Sequence, residues 1–564
     1  MPRLLVSFAG FQSAWLRSDL IAGLTVWAVL VPEALAYASI AGVPPVVGLY
    51  AAPAALVLYA LFGSSRHLIV GPMSATAAVS AATIADFAMA GTDQFTALTV
   101  ALAITVGIAA LLAGLLRLGF IANFISEPVL KGFIIGLAIT IIIGQLDELI
   151  GVEGGSGNAI EKLLVLVRNL GDLNPTATAL GFASLAIVLG LRRFAPLVPG
   201  SLVAVGFGIV AVRLMSLDSQ VDIVGTIPSG LPAFGLPDVM AVDYGMLIPG
   251  ALGVVLIGFA EGLGAARTYA QKAGYEVDAN AELMGLGAAN LGAGLSSGMV
   301  VNGSLSKTAV NGGAGAKSQV SGLVVAAMTV ITLLFLTGLF ELLPEATLGA
   351  VVIAAVIELV DFSSLRRLYR LGGSQPGLVG AIVARPDFLA AVTALLGVLL
   401  FDTLPGLAIG VLVSILLLLY RASRPPVAVI GRVPGASGQW SDTRRHPEYE
   451  QIEGVVAVRP GAALFFANAD YIRQQIMSLA AERKARFVIL DLEAAPYMDI
   501  TGAEMLGNLR TTLARNGVEL VVAHELAPVR TMARRAARGE TEEADRPIEV
   551  FATVQEAADY ASER

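Results

Sequence analysis

The 564-residue chain has no cysteine, which excludes disulfide bridges and thiolate metal centres. It has three histidines, His67, His446 and His524, too scattered along the sequence to read as a metal cluster. Charged residues make up only 14% and the net charge is -8, so there is no basic footprint for nucleic acid. What charge there is gathers after Tyr420. A cleavable signal is not expected at the N-terminus, because Arg17 and Asp19 precede an apolar run too long for a signal peptide.

Apolar side chains fill the space left by charge. They make up 56% of the chain, and a mean hydropathy of +0.77 exceeds what any soluble protein of this size needs. The reading is a polytopic membrane protein with a soluble tail. The 61 glycines suit transmembrane helices that pack closely or break. Apolar segments recur near 20–40, 46–62, 72–90, 96–116, 124–146, 175–191 and 197–213, and again near 245–265, 280–295, 303–315, 319–340, 345–360, 386–401 and 404–420. With the N-terminus in the cytoplasm, the inner loops collect most of the basic residues, among them Arg66, Arg117, Lys131, Arg192, Lys272, Lys317 and Arg366. An even number of spans then satisfies the positive-inside rule with both termini cytoplasmic. Seven spans per half invert the second half relative to the first, as in many secondary transporters.

The stretch 30–52, LVPEALAYASIAGVPPVVGLYAA, places Glu33 in an apolar run. Counted from Asp19 at 1.5 Å per residue, Glu33 lies ~21 Å along the span, near the middle of a ~30 Å hydrocarbon core. An acid there is costly and points to a transport pathway. Pro32 loosens the helix, and Tyr37 lies one turn further along the same face. Glu261, in LIGFAEGLGAARTYA, holds the same depth in the first span of the second half, entered from the other side. Inverted symmetry would bring both acids near one site, where loading and releasing a proton would couple transport to H⁺. Either acid, alternatively, is structural, or paired with Lys307.

The third span of each half is interrupted, as HLIVGPMSATAAV (67–79) and SGMVVNGSLSKTAVNGGAG (297–315). Both read as an extended stretch feeding a helix that starts inside the membrane. Gly71-Pro72 suits the first turn of one, and Asn302, Gly303 and Ser304 cap the other. Two such half-helices in opposed repeats would aim free N–H groups at one another, and that gap suits an anion. Isolated Gly-Pro-Ser clusters can be mere packing or kink sites; two at matching positions favour the site. Lys307 falls in the first turn of the second half-helix, where its ammonium either attracts the anion or snorkels to water. Of the hydroxyls of Ser304, Ser306 and Thr308, Ser306 is placed best beside it.

After Arg424-Pro425-Pro426 the character changes, giving a boundary between 1–424 and 425–564. Strands are expected at 455–460, 463–468, 486–493 and 518–525, and helices near 469–482, 502–515 and 526–537. Thr501 is the expected N-cap of the second helix. The tail has no phosphate-binding loop and no catalytic triad pattern, so it reads as a binding or regulatory module rather than an enzyme.

These residues resemble the sulfate permease (SulP) family of anion transporters. VPEALAYASIAGVPPVVGLYAA is similar to the family's first span, SSRHLIVGP to the approach to its third, and NGSLSKTAVNGGAGAKSQVSG to its tenth. GAALFFANADYIR and MDITG resemble its C-terminal STAS domain. The resemblance implies an all-α polytopic membrane domain of 14 spans in a 7+7 inverted repeat, divided into core and gate, plus a small C-terminal α/β STAS domain. It also implies an elevator-like movement and homodimers in the plasma membrane. The anion would meet Tyr37, Met73, Ser74, Leu305, Ser306 and Lys307, with Glu33 and Glu261 coupling to protons. Some sodium-coupled bicarbonate members carry a hydroxyl one turn after the Glu261 position, where this chain has Ala265, so H⁺ is favoured over Na⁺. Many animal members carry glutamine at Glu33 and often arginine at Lys307. Thr501 matches the phosphorylatable serine of anti-sigma antagonists.

The expected function is proton-coupled uptake of a small anion. Sulfate leads, with bicarbonate and dicarboxylates open. No cofactor, metal or nucleic acid is expected. The expected partners are the anion, membrane lipid, a second copy of the chain, and a cytoplasmic protein or nucleotide at the STAS domain. A membrane-anchored signalling protein is the competing class.

Overall fold

The computed structural model describes all residues except 1–4, 9, 121–125, 156, 196–197, 372–384, 402, 437 and 525–547. The chain divides into two compact units, Met1–Ser414 and Ile415–Arg564.

The first unit is built almost wholly of helices. In chain order they are α1 (Leu16–Ile40), α2 (Pro45–Phe62), α3 (Ser74–Ala85), α4 (Asp93–Leu115), α5 (Glu127–Ile143), α6 (Leu146–Ile150), α7 (Ala159–Arg168), α8 (Pro175–Phe194) and α9 (Gly200–Met215). There follow α10 (Ala241–Ala273), α11 (Ala279–Leu295), α12 (Leu305–Gly313), α13 (Val320–Ile331), α14 (Glu345–Val356), α15 (Phe362–Leu371), α16 (Pro386–Phe401) and α17 (Thr403–Ser423), the last of which runs past Ser414 into the second unit. Among the described residues, eight helical stretches are long and apolar enough to cross a membrane, and four shorter apolar helices accompany them. Their starts follow local chemistry. Thr92, Asn174 and Asp278 accept backbone N–H groups at the starts of α4, α8 and α11. Pro45 opens α2, where its missing N–H costs nothing.

Three details depart from the sequence expectations. Two amphipathic helices, α7 and α15, occupy intervals read as polar connections. The helix containing α13 changes to a π turn at Thr332–Leu336 and then a 3-10 turn at Thr337–Phe340. The Trp27 Nε1–H donates to Thr332 Oγ1 at that irregularity, at 3.0 Å.

The unit is not purely α. Two buried strands, β1 (Ile69–Gly71) and β2 (Asn302–Ser304), pair antiparallel with Ile69 opposite Ser304 and Gly71 opposite Asn302. Mutual pairing satisfies backbone groups that lipid could not. Each strand runs into a short helix, β1 into α3 and β2 into α12, so the two helices leave the pair in opposite directions.

The second unit carries a six-stranded sheet in the order β4-β3-β5-β6-β7-β8. Its strands are β3 (Val427–Arg432), β4 (Trp440–Asp442), β5 (Val455–Pro460), β6 (Phe487–Asp491), β7 (Glu519–Ala523) and β8 (Glu549–Phe551). β5 to β8 are parallel, and β3 pairs antiparallel with both β4 and β5. Helices α18 (Ala469–Glu482) and α19 (Ile500–Arg515) pack on one apolar layer, and α20 (Val554–Ser562) on the other. The strand expected at 463–468 is instead a single bridge at Leu464 followed by a turn, with Asn468 just before α18 accepting the Phe465 N–H of that turn. β3, β4, β8 and α20 were not expected from the sequence. The helix expected near 526–537 lies outside the described residues.

Candidate functional site

α1 and the start of α12 meet at an ion pair. Lys307 Nζ lies 2.6 Å from Glu33 Oε2, and the two side chains are 1% and 8% exposed. The same ammonium donates to the Pro72 carbonyl at 3.2 Å and sits 5.0 Å from the centroid of the Tyr37 ring. Lys307 therefore does not snorkel. Its charge is taken up by a carboxylate, a carbonyl and the face of a ring, which are the three kinds of partner that make a buried cation tolerable.

The local sequence forces this placement. Ser304 is the N-cap of α12, and its hydroxyl accepts the Lys307 N–H at 3.2 Å. Its Oγ also lies 3.1 Å from Ser306 Oγ. Lys307 points inward, while Leu305 and Ser306 are exposed at the tip of the helix. Thr308 serves the scaffold instead: its hydroxyl accepts the Ile69 N–H of β1 at 3.1 Å. On the other side of the strand pair, Met73 is the half-buried N-cap of α3, without a side-chain cap hydrogen bond, and Ser74 is buried behind it. Pro72 does not sit in the first turn of α3 as expected. It lies in the extended approach, and its carbonyl faces Lys307.

The structure thus brings Glu33, Tyr37 and Lys307 into contact and sets the starts of α3 and α12 on the same strand pair. Two first turns with partial positive charge, beside a lysine, favour a small anion. Glu261 is not in ion-pair contact with Lys307. It lies on α10, which packs against β2, and its Oε2 is shielded from solvent without a hydrogen-bond partner. Gly258 and Gly262, on the same stretch of α10, let the Asn302 side chain approach closely, and Asn302 Nδ2 is likewise unpartnered.

Sequence reasoning missed the residues that hold the strand pair in place. Asn311 Nδ2 donates to the His67 carbonyl at 2.9 Å, and Gln319 Nε2 to the carbonyls of Ser65 and Leu68 at 3.0 and 2.7 Å. Two further buried acids proved to be scaffold. Glu282 accepts from Tyr59 Oη, from the Ser64 N–H and hydroxyl, and from the Ser65 N–H. Asp19 accepts from the Lys317 and Ser318 N–H groups and the Ser318 hydroxyl. Their signal in the sequence was an acid at a helix start, which does not distinguish a scaffold role from a transport role.

In the tail, Asp499 rather than Thr501 caps α19, accepting the Gly502 N–H at 2.8 Å. Thr501 is exposed one residue inside the helix. His524 is less isolated than the sequence implied, since Asp491, Glu493 and His524 place ligand atoms within 4.8 Å of one another. Arg459 already bridges Asp491 and Glu493, at 2.5 and 2.7 Å. That guanidinium supplies the positive charge a metal would bring, so the group fits an ionic network better than a metal centre.

Residues 16–376 match the Sulfate permease family, and residues 446–557 match the STAS domain. The chain belongs to the sulfate permease family. A probable sulfate transporter of Mycobacterium tuberculosis (strain CDC 1551 / Oshkosh) is 37% identical over 535 residues, covering 94% of this chain and 93% of that protein. The murine Solute Carrier 26 family member A9 anion transporter, in the inward-facing state, shares the fold with a TM-score of 0.87 at 21% identity, covering 100% of this chain and 94% of that one. The transmembrane domain of the cyanobacterium bicarbonate transporter BicA aligns with a TM-score of 0.60 at 26% identity, over 68% of this chain and 97% of that one. As a member of this transporter family, the chain combines a helical membrane unit for anion transport with a C-terminal STAS domain.

Proposed function

We propose that the protein carries sulfate into the cell together with a proton, and that the Glu33–Lys307 pair is the coupling element. The supporting observation is the 2.6 Å contact of these two side chains between α1 and the tip of α12. As an ion pair the two are formally neutral, and the carboxylate occupies the cation that an anion would need. Sulfate adds two negative charges. A proton on Glu33 releases Lys307 to the substrate and removes one of those charges from the low-dielectric interior. Anion and proton therefore favour each other's binding. Tyr37, Met73, Ser74, Leu305 and Ser306 line the approach, with the free N–H groups at the start of α3 facing the oxyanion. Glu261 is a second proton carrier, and Ala265 leaves no hydroxyl to help a sodium ion there.

In this reading the fourteen apolar segments form two inverted sets of seven spans with both termini cytoplasmic, as the loop charges favour. The helices around the β1–β2 pair move against the remainder, in a homodimer in the plasma membrane. Transport assays in proteoliposomes test the proposal. Wild-type protein should concentrate labelled sulfate under an inward proton gradient, and Glu33→Gln should lose concentration while keeping sulfate exchange. A Glu33→Gln protein that still concentrates sulfate removes the coupling role. Uptake of bicarbonate or succinate without sulfate removes the substrate assignment.

A further inference from the structure

The approach to β1 carries a buried imidazole that has no part in the coupling described above. His67 is 7% exposed and stands two residues before Ile69, the first residue of the strand. Its ring bridges segments far apart in sequence. Nε2 lies 3.0 Å from the carbonyl of Ala316, just after α12, and Nδ1 lies 3.0 Å from Tyr275 Oη, in the turn between α10 and α11. The two rings stack with centroids 5.7 Å apart. The imidazole thus ties the entry of β1 to the exit of α12.

Hydrogen-bond accounting fixes the protons of this ring. A carbonyl only accepts, so the contact with Ala316 puts a hydrogen on Nε2. Tyr275 Oη accepts the Arg66 N–H at 3.0 Å, and Ser65 Oγ accepts the N–H groups of Leu68 and His67 at 3.1 and 3.3 Å. With both lone pairs of Ser65 filled, its hydroxyl donates to Tyr275 Oη, 3.2 Å away. Tyr275 Oη is then filled too, and its own hydrogen goes to Nδ1. Five donors, the N–H groups of Arg66, His67 and Leu68 and the hydroxyls of Ser65 and Tyr275, meet five lone pairs, two on each hydroxyl oxygen and one on Nδ1. A proton on Nδ1 makes six donors for four lone pairs, so two donors must leave their present partners in a buried site. The unfilled oxygens of the residues that hold this segment, Asn311 Oδ1 and Gln319 Oε1, can take them only after the segment shifts.

The surroundings supply no other partner. Arg66 lies over the Tyr275 ring, and Lys317 and Asp19 are the further charges felt by the imidazole. Both oxygens of Asp19 are taken by the Lys317 and Ser318 groups. α10 presents Tyr269, with the Lys272 ammonium against its ring, and α11 presents Glu282, committed to Tyr59, Ser64 and Ser65. Among the described residues, Tyr275 is the only hydrogen-bond partner of Nδ1.

We propose that His67 is a positioning residue for transport: neutral, with its hydrogen on Nε2, it clamps the entry of β1 to the exit of α12, and a proton on Nδ1 opens the clamp and slows anion exchange. β1 and β2 are paired and run into α3 and α12, so a shift at 65–68 reaches the tips of both helices. The effect is opposite in sign to that of the coupling proton, which favours loading. In the orientation proposed above this segment faces the cytoplasm, so protons delivered with the anion restrain further uptake. The effect on flux rests on the function proposed above, whereas the state of the imidazole does not.

Nitrogen NMR of full-length protein carrying isotope-labelled histidine, in lipid bilayers, tests the ring directly. His446→Asn with His524→Asn leaves His67 as the sole histidine of the three. At pH ~7.5 Nε2 should be protonated and Nδ1 bare; a protonated Nδ1 there overturns the proposal whatever anion is carried. On acidification to pH ~5.5, Nδ1 should gain a proton and amide hydrogen exchange over 65–68 should rise about tenfold. A ring that stays neutral, or that titrates with no change in exchange, also overturns it. Sulfate exchange in proteoliposomes, with equal pH on both faces, should fall about fivefold over the same interval in the wild type. His67→Gln carries an amide donor for Ala316 and an oxygen acceptor for Tyr275 but cannot be charged, so its exchange should not fall. His67→Phe keeps the ring stacking without the bonds and should be slow at both pH values. A His67→Phe protein that matches the wild type, or a His67→Gln protein with the same acid fall, overturns the clamp. Absence of sulfate exchange at any pH removes the substrate assignment instead, and the NMR and hydrogen-exchange results then decide the His67 claim.

Discussion

Removing the Lys307 ammonium would leave the Glu33 carboxylate buried without its counter-charge. Breaking a buried pair from one side typically costs about 3–5 kcal/mol, whereas removing both charges together costs far less. Lys307→Ala should therefore lower the thermal midpoint clearly, and adding Glu33→Gln should restore most of it, a coupling that a double-mutant cycle in detergent measures directly. On the proposed roles the two single variants should differ in transport, Lys307→Ala losing the anion's cation and Glu33→Gln only the coupling. Sequence depth alone placed both residues in the membrane interior. It offered Lys307 as a partner for either Glu33 or Glu261 but could not choose between them, because 274 positions separate Glu33 from Lys307 and only the folded strand pair closes that distance. For the same reason Glu282 and Asp19 were unreadable as scaffold: their donors come from distant loops. A more local carboxylate gives an independent check. The hydroxyls of Ser363 and Ser364 and the backbone around them hold the exposed Asp361 down to about 2 at the start of α15. Because its folded value lies below the ordinary carboxyl range, its contribution to stability is present above pH ~4 and lost as pH falls through about 2. Selective carboxyl labelling and NMR titration should find it ionised at pH 3.

At the scale of elements, the fold rests on close approaches that only particular residues allow. Gly48 of α2 packs against α1, and a Cβ there would come within 2.0 Å of the Ala34 carbonyl, next to Glu33. Gly48→Ala must push the two helices apart, so a fall in thermal midpoint together with lost sulfate uptake is expected. Thr308→Val keeps shape but removes the acceptor of the Ile69 N–H, leaving a buried donor unpaired at a cost of about 1–3 kcal/mol. Ser306→Ala should instead spare stability and raise the sulfate concentration needed for half-maximal uptake. The breaks at Gly71-Pro72 and Asn302-Gly303-Ser304 were legible because glycine, proline and cap residues are rare inside apolar spans. Helices α7 and α15 were not, since their amphipathic pattern sits in intervals where charge reads as loop. In the tail, the central strands β5, β6 and β7 stood out as apolar runs. The short edge strands β4 and β8 did not, because half-exposed three-residue segments carry no clear period.

For the whole molecule, composition separates an apolar part from a charged tail, because lipid and water demand opposite surfaces; the two compact units meet at Ser414 and Ile415, ten residues before the boundary expected at 424. Deleting residues 425–564 should leave measurable sulfate exchange in proteoliposomes, since every residue proposed for the anion site lies in the membrane unit. Complete loss of exchange in a folded truncated protein would assign the tail a direct part in transport.

The antiparallel bonding of Ile69–Gly71 with Asn302–Ser304 has a mechanical outcome. Backbone stitching makes the two short helices a single rigid cradle, so neither tip can swing away from the cargo while the other stays. In the proposed mechanism, release then comes from shifting the whole cradle toward water rather than prising it open. A chain free of cysteine is a ready background for checking this. Replacing the directly opposed Ile69 and Ser304 with cysteines and oxidising them should leave turnover close to that of the reduced form.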